Sequence, residues 1–355
     1  MVSDVKSGKR FGVKRWIVLL LVGLGIYFAF IGPSMFKPIS PLVVLPGEPT
    51  GLDFFGFKIT NTILATLLTD FLLILMALGA YRFSKSGKEI PEGFYNFFEA
   101  LVEFLWGSVE GAAGKWARRI FIIPATIFLL VFVANMIKMV PGFESIGYMK
   151  EGHGSYGYKA VTLIPDTLYS LDKGYPISEA DHAAEAETAH AEETTTEESH
   201  LGATEIEPDK YYEVVPFLRG SATDLNFPFA LAFVAVVMTQ VYGVWALGPG
   251  YFEKFFPIKG LISGGPFGAI NFAVGLLEVI LEFAKILSFG FRLFGNIFAG
   301  ALLLSIVGAL TAVVVPAGLY LFEVFFGIIQ AYVFFLLSTM FISGATVSHH
   351  AEEHH

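Results

Sequence analysis

The chain has no cysteine, which excludes a disulfide framework, thiol chemistry and Cys-ligated zinc. Histidine is missing from every long apolar run: His153, His182, His190 and His200 fall in one hydrophilic stretch, and His349, His350, His354 and His355 in the C-terminal tail. No imidazole is therefore placed to carry a proton at membrane depth or to serve a serine nucleophile there. Phosphate-binding Gly-x-x-x-x-Gly-Lys-Ser/Thr loops and His-Glu-x-x-His zinc motifs are absent too, so neither of those chemistries is signalled in the chain. Charge is scarce, at 15% of residues against 54% hydrophobic. No nucleic-acid surface is implied, and several uncharged runs exceed the roughly 18 residues that cross a bilayer.

The charge that is present lies unevenly. Residues 141–224 hold 17 acidic and 5 basic residues, so the net charge of -9 comes from that segment and the rest of the chain is slightly basic. Six hydrophobic spans surround it: about Trp16 to Ile31, Ile59 to Tyr81, Ile120 to Val140, Leu225 to Tyr251, and a hairpin of Pro266 to Val314 and Pro316 to Ala345. The fold class expected is an all-α polytopic membrane protein, with an amphipathic helix from Pro91 to about Gly111 on the cytoplasmic face. Basic groups at Lys6, Lys9, Arg10, Lys14 and Arg15, at Arg82, Lys85 and Lys88, and at Lys115, Arg118 and Arg119 mark that face. Six crossings then place both termini in the cytoplasm and the acidic segment outside.

Five segments follow from this: 1–54, a basic stretch with an extra anchor that is either a retained signal-anchor or a cleavable signal; 55–140, the second and third spans; 141–224, the outer insert; 225–345, the C-terminal spans; and 346–355, a His/Glu-rich tail. Within the insert, Asp181 to His200 is low in complexity and apolar content and is expected to be disordered. The tail has ligand types that suit zinc or nickel, but without a fixed fold it reads as a solvated tract, and no cofactor or metal is expected.

The chemistry concentrates in the fifth span. From Ile286 to Leu321 the only charged side chain is Arg292, and a guanidinium at membrane depth costs several kcal/mol at least, so something negative must meet it. Glu278, Glu282, Lys285, Ser288, Arg292 and Asn296 follow one another by 4, 3, 3, 4 and 4 residues. Eighteen residues make five helical turns, so all six share one face. On a helix otherwise made of apolar residues, such a stripe reads as the wall of an aqueous or protein-lined path. For Glu278, Glu282 and Lys285, near a helix end, simple snorkelling is the other reading, and for Arg292 a static pair with Glu323. Glu323 and Gln330, seven residues apart on the sixth span, add a titratable carboxylate and an amide that can bond across the hairpin.

The run Arg292-Leu-Phe-Gly-Asn296-Ile-Phe-Ala-Gly300, with Glu278, Lys285-x-x-Ser288 and Gln330-Ala331, resembles subunit a of the F-type ATP synthase. Thr223-Asp224-Leu225-Asn226, Asn135 six residues before Pro141, and Ile122-Ile123-Pro124-Ala125-Thr126-Ile127-Phe128 are also similar to that family, over roughly residues 55 to 345. The resemblance implies a non-catalytic stator in the membrane sector, with two offset proton half-channels against a rotating ring of c subunits. It also implies b-type peripheral stalk subunits, the F1 catalytic sector and the lipid bilayer as partners, a bacterial plasma membrane as the location, and a strongly tilted hairpin. Arg292 would separate the half-channels, Glu323 and Asn296 would line the outer one, and Glu278, Ser288 and Glu282 the cytoplasmic one, with Lys285 and Gln330 along the path.

Three departures stand beside it. The place nine positions after the arginine, commonly ionisable in the family, is Ala301. Lys138 stands where a small or acidic residue is expected, either snorkelling outward or setting the field at the channel mouth. Asp70, mid-span, is either a helix-packing residue with a hydrogen-bond partner or a lineage-specific site. A stand-alone ion channel or secondary transporter is the rival reading, but the internal repeat or discontinuous helix pair it predicts is not evident. An intramembrane enzyme lacks its motifs.

Overall fold

The structure is a computed structural model that describes residues 47–54, 56–85, 93–140, 143–144, 146–151, 156–164, 168–176, 211–257, 265–310 and 314–347, with six helical positions between 16 and 27. Most of the first expected span, the acidic run 181–200, all eight histidines and the end of the tail lie outside the described residues.

The chain is mostly helical, as expected. Seven helices are described: α1 Asn61–Lys85, α2 Phe94–Ala113, a single turn α3 Ala117–Ile120, α4 Ile122–Ile137, α5 Asn226–Leu247, α6 Gly265–Leu310 and α7 Val314–Ala345. Asn61–Lys85, Asn226–Lys254 and Val315–Ala345 are long and apolar enough to cross a membrane. Phe94–Ile120 and Ile122–Ile137 qualify together as a fourth, bent by 96° at Phe121. That bend is where the expected amphipathic stretch meets the expected third span. α2 buries Leu105 and Val109, four residues apart, while Phe94, Phe97 and Phe104 stay exposed.

Small strands add to the helices. A hairpin of β1 Pro49–Phe54 and β2 Phe57–Thr60 leads into α1. In the outer segment β3 Gly147–Glu151, β4 Tyr156–Ile164, β5 Leu168–Pro176 and β6 Tyr212–Pro216 form an antiparallel sheet in the order β3-β6-β4-β5. The insert is thus partly structured, and its low-complexity part connects β5 to β6.

The core lies where α4, α5, α6 and α7 meet, around Val131, Ala232, Leu293, Ala331, Phe334 and Phe335. Small residues set the spacing. A Cβ on Gly290 would stand 3.0 Å from the Phe229 ring, so α5 and α6 pack at that point with backbone against ring. A Cβ on Gly327 would stand 3.1 Å from Cβ of Asn135, whose side-chain amide donates to the Gly327 carbonyl at 3.3 Å, locking α4 to α7. Asp224 Oδ2 accepts from Thr62 Oγ1 at 3.0 Å and its Oδ1 from the Asn226 backbone amide at 3.0 Å, tying α1 to the start of α5.

Candidate functional site: an ion path along the C-terminal helices

α6 is one uninterrupted helix of 46 residues, about 69 Å long at 1.5 Å per residue, more than twice the roughly 30 Å of a hydrocarbon core. It runs antiparallel to α7: the Phe289 and Phe334 rings lie 4.8 Å apart, Asn296 meets Gln330, and Gly300 faces Glu323. This pairing orders the site residues along the axis.

The six-residue stripe is divided by its surroundings. Near the start of α6, Glu278 Oε1 lies 2.7 Å from Lys254 Nζ, Glu282 Oε1 lies 3.6 Å from the same amine, and Lys285 Nζ is 2.7 Å from Glu282 Oε1. These side chains are largely sheltered, and Glu282 Oε2 is buried with no hydrogen-bond partner among the described residues. The snorkelling reading does not hold here, since the charges meet one another within the protein. Lys254 belongs to the 3-10 turn Gly248–Lys254 after α5 and was not marked by the spacing argument. The one signal for it is a cation just past an apolar span, which sequence reasoning assigns to topology.

Two turns on, Ser288 and Arg292 are exposed on the outer face of α6. No carboxylate among the described residues pairs with Arg292. An added Cβ on Gly295 would have no atom within 4 Å, so the backbone beside the arginine is also open.

Past the arginine the stripe returns to the protein interior. Asn296 Nδ2 donates to Gln330 Oε1 at 3.3 Å, and Gln330 Nε2 is buried without a partner among the described residues. Glu323 does not reach Arg292. Its Oε1 bonds Lys138 Nζ, with the two side chains only 13% and 6% exposed, so the static Arg292–Glu323 pair does not form. Lys138 does not snorkel outward, as one reading had it; it turns onto α7. Asp70 is exposed on α1 and pairs with no described residue.

Next to Lys138 lies a second polar cluster. Gly220 N–H donates to Glu144 Oε1 at 2.9 Å, and Tyr148 O–H to the Pro49 carbonyl at 3.0 Å. Burial lowers the Arg219 guanidinium below its ordinary value, opposed by the charges of Glu144, Glu48 and Asp224. Burial likewise raises the Glu48 carboxyl, against the attraction of Arg219 and Lys150. Burial, with the charge of Glu48, raises the Tyr148 phenol.

The arrangement can hold charge at two sheltered levels, one near each end of the hairpin, with an open guanidinium between them. Among the described residues no cluster of three or more His, Asp or Glu side chains is placed to hold a metal.

The family model described as ATP synthase A chain matches residues 63–343. The chain is 25% identical over 295 residues to "ATP synthase subunit a, sodium ion specific" of Propionigenium modestum, covering 82% of this chain and 75% of that protein. It is 28% identical over 316 residues to ATP synthase subunit a of Mycobacterium marinum, covering 87% and 95%. With the Staphylococcus aureus subunit a it shares 24% over 317 residues, covering 84% and 96%.

Proposed function

The chain belongs to the ATP synthase A chain family, and from that premise we propose the residue-level path by which it works. It is a stator subunit of the membrane sector, coupling proton translocation to ATP synthesis. The subunit catalyses no bond chemistry of its own, and its partners are the c-ring, b-type stalk subunits and, through the complex, the F1 sector. On this reading it crosses a bacterial plasma membrane six times with both termini inside, counting the span near residue 20 and treating α2 as lying along the cytoplasmic face. α6 is too long to stand upright, so it tilts around the ring.

One observation carries the assignment: Arg292 is exposed and pairs with no carboxylate among the described residues, on a helix that buries or pairs every other charge it has. A ring carboxylate arriving at that face is stabilised in its ionised form, so it yields its proton before reaching the arginine and takes up another after passing. Because a guanidinium keeps its own proton even when desolvated, it blocks a direct leak. The cytoplasmic half-channel reaches it by Glu278, Glu282, Lys285 and Ser288, and the outer one by Glu323, Gln330 and Asn296.

The test is ATP-driven acidification of inverted membrane vesicles carrying wild type or Arg292→Gln, with assembly confirmed in both. Loss of pumping in the assembled variant is the expected result, and normal pumping would remove the arginine from the path. A stand-alone transporter would instead purify without a ring or stalk.

A further inference from the structure

We propose that Lys138 is a positioning residue that keeps Arg292 available, by holding the Glu323 carboxylate on α4 and away from the arginine. The inference rests on the reading of Arg292 as the separator of the two half-channels.

Glu323 is the carboxylate on α7 nearest in register to Arg292. Its Oε1 would lie 3.6 Å from a Cβ on Gly300, eight residues past the arginine, or about 12 Å along the axis. Both side chains are long and flexible. In a weakly screened interior, two opposite charges at that separation attract strongly enough to draw the side chains together. A closed Arg292–Glu323 pair would satisfy the arginine permanently, and a satisfied arginine has no preference left for a passing carboxylate.

Lys138 removes that competitor. It sits at the C-terminal end of α4, one turn past Asn135, whose bond to the Gly327 carbonyl fixes the height of α4 against α7. From there its amine meets Glu323 in a nearly water-free contact. The other carboxylate beside the Lys138 stem, Glu144, already accepts the Gly220 amide at 2.9 Å. An added Cβ on Gly220 would stand 3.2 Å from Lys138 Cδ, so the bare glycine gives the stem its room. Lys138 is thus aimed at α7, and Glu323 is neutralised from the side opposite the ring.

The experiment compares assembled complexes with Lys138→Gln, Lys138→Arg, Glu323→Gln and the double variant Lys138→Gln/Glu323→Gln, in the same acidification assay. Lys138→Gln is expected to lose most pumping, about tenfold or more, and Lys138→Arg to keep it. Because Glu323 also stands on the outer path, Glu323→Gln lowers pumping by itself. The double variant is expected to pump no less than Glu323→Gln, since no carboxylate on α7 is left to capture the arginine, whereas loss of a lysine that merely staples two helices would lower it further. A cryo-EM map of the Lys138→Gln complex reads the same point without rates: Glu323 turned toward Arg292 supports the proposal. Wild-type pumping by Lys138→Gln, or Glu323 still against α4 in that map, would overturn it. Normal pumping by the assembled Arg292→Gln complex would instead sink the underlying reading.

Discussion

Lys254 Nζ and Glu278 Oε1 stand 2.7 Å apart, joining the turn that ends α5 to the first third of α6. The contact matters because Lys254 also lies 3.6 Å from Glu282, which Lys285 holds more closely at 2.7 Å. The two carboxylates are therefore unequally dependent on it.

Replacing Lys254 by Met should cost about 1 kcal/mol, because Glu278 keeps 26% of its side chain exposed to water and Lys285 remains on Glu282. Replacing Glu282 by Ala should cost more, about 2 kcal/mol, since it leaves Lys285 half-buried without its carboxylate. Thermal unfolding of the purified complex in detergent, with pumping rates beside it, checks the order. Equal effects from the two substitutions would show that the cluster is not organised around Glu282.

At the outer end, Glu48 offers a pH test. Burial raises its carboxyl above the ordinary range, and the attraction of Arg219 and Lys150 only partly offsets this. A carboxyl raised in the folded state stabilises the fold below its ordinary pKa, and that contribution is lost as pH rises through the raised value. Glu48→Gln should therefore leave the outer end unchanged or slightly weaker at pH 4 and make it firmer at pH 8. Hydrogen exchange of the β1–β2 hairpin and the start of α1 reads the difference. A substitution that weakens this region more at pH 8 than at pH 4 would mean that the Arg219 attraction outweighs burial.

The two glycines flanking Arg292 predict opposite failures. Gly290 already lies at the limit of contact with Phe229, whereas Gly295 has open space. Gly290→Val should disturb α5–α6 packing at a cost of about 1–3 kcal/mol and lower the yield of assembled complex. Gly295→Val should leave the subunit fold intact and still slow pumping, because the added side chain projects from the face that carries the arginine. Assembly by native gel and acidification of vesicles separate the two. Normal pumping by Gly295→Val would mean that this face does not meet the ring closely.

Much of this was legible beforehand. The helix boundaries of α1, α5, α6 and α7 follow from hydropathy, because a long apolar run nearly dictates a helix, and three of the four are also long and apolar enough to cross a membrane. The polar stripe followed from a 3.6-residue period, but what each member touches did not. Lys254 and Lys138 show why: their partners are 24 and 185 residues away in sequence, and periodicity sees one helix at a time. The outer sheet was hidden by composition, since its strands are interrupted by Gly and charged residues and pair across the low-complexity run. The bend at Phe121 has its signal in Pro124, which cannot donate to the Ile120 carbonyl and crowds it, together with the change from amphipathic to fully apolar patterning on either side.

Gln330 separates stability from transport. Its Oε1 accepts from Asn296 at 3.3 Å, a long bond, while its Nε2 is buried with no partner among the described residues. An unsatisfied buried donor works against folding, so removing it with an apolar residue of similar size should not harm the fold. Gln330→Leu is expected to change stability by less than about 1 kcal/mol, because relief of the unsatisfied Nε2 offsets the lost Asn296 bond. Transport should move the other way, because the substitution takes away the one amide on α7 that faces Asn296, a turn past Arg292. Proton pumping should fall while assembly and melting temperature hold. Should the two fall together, Gln330 would be a packing residue of the hairpin, and the outer path would have to run through Glu323 without it.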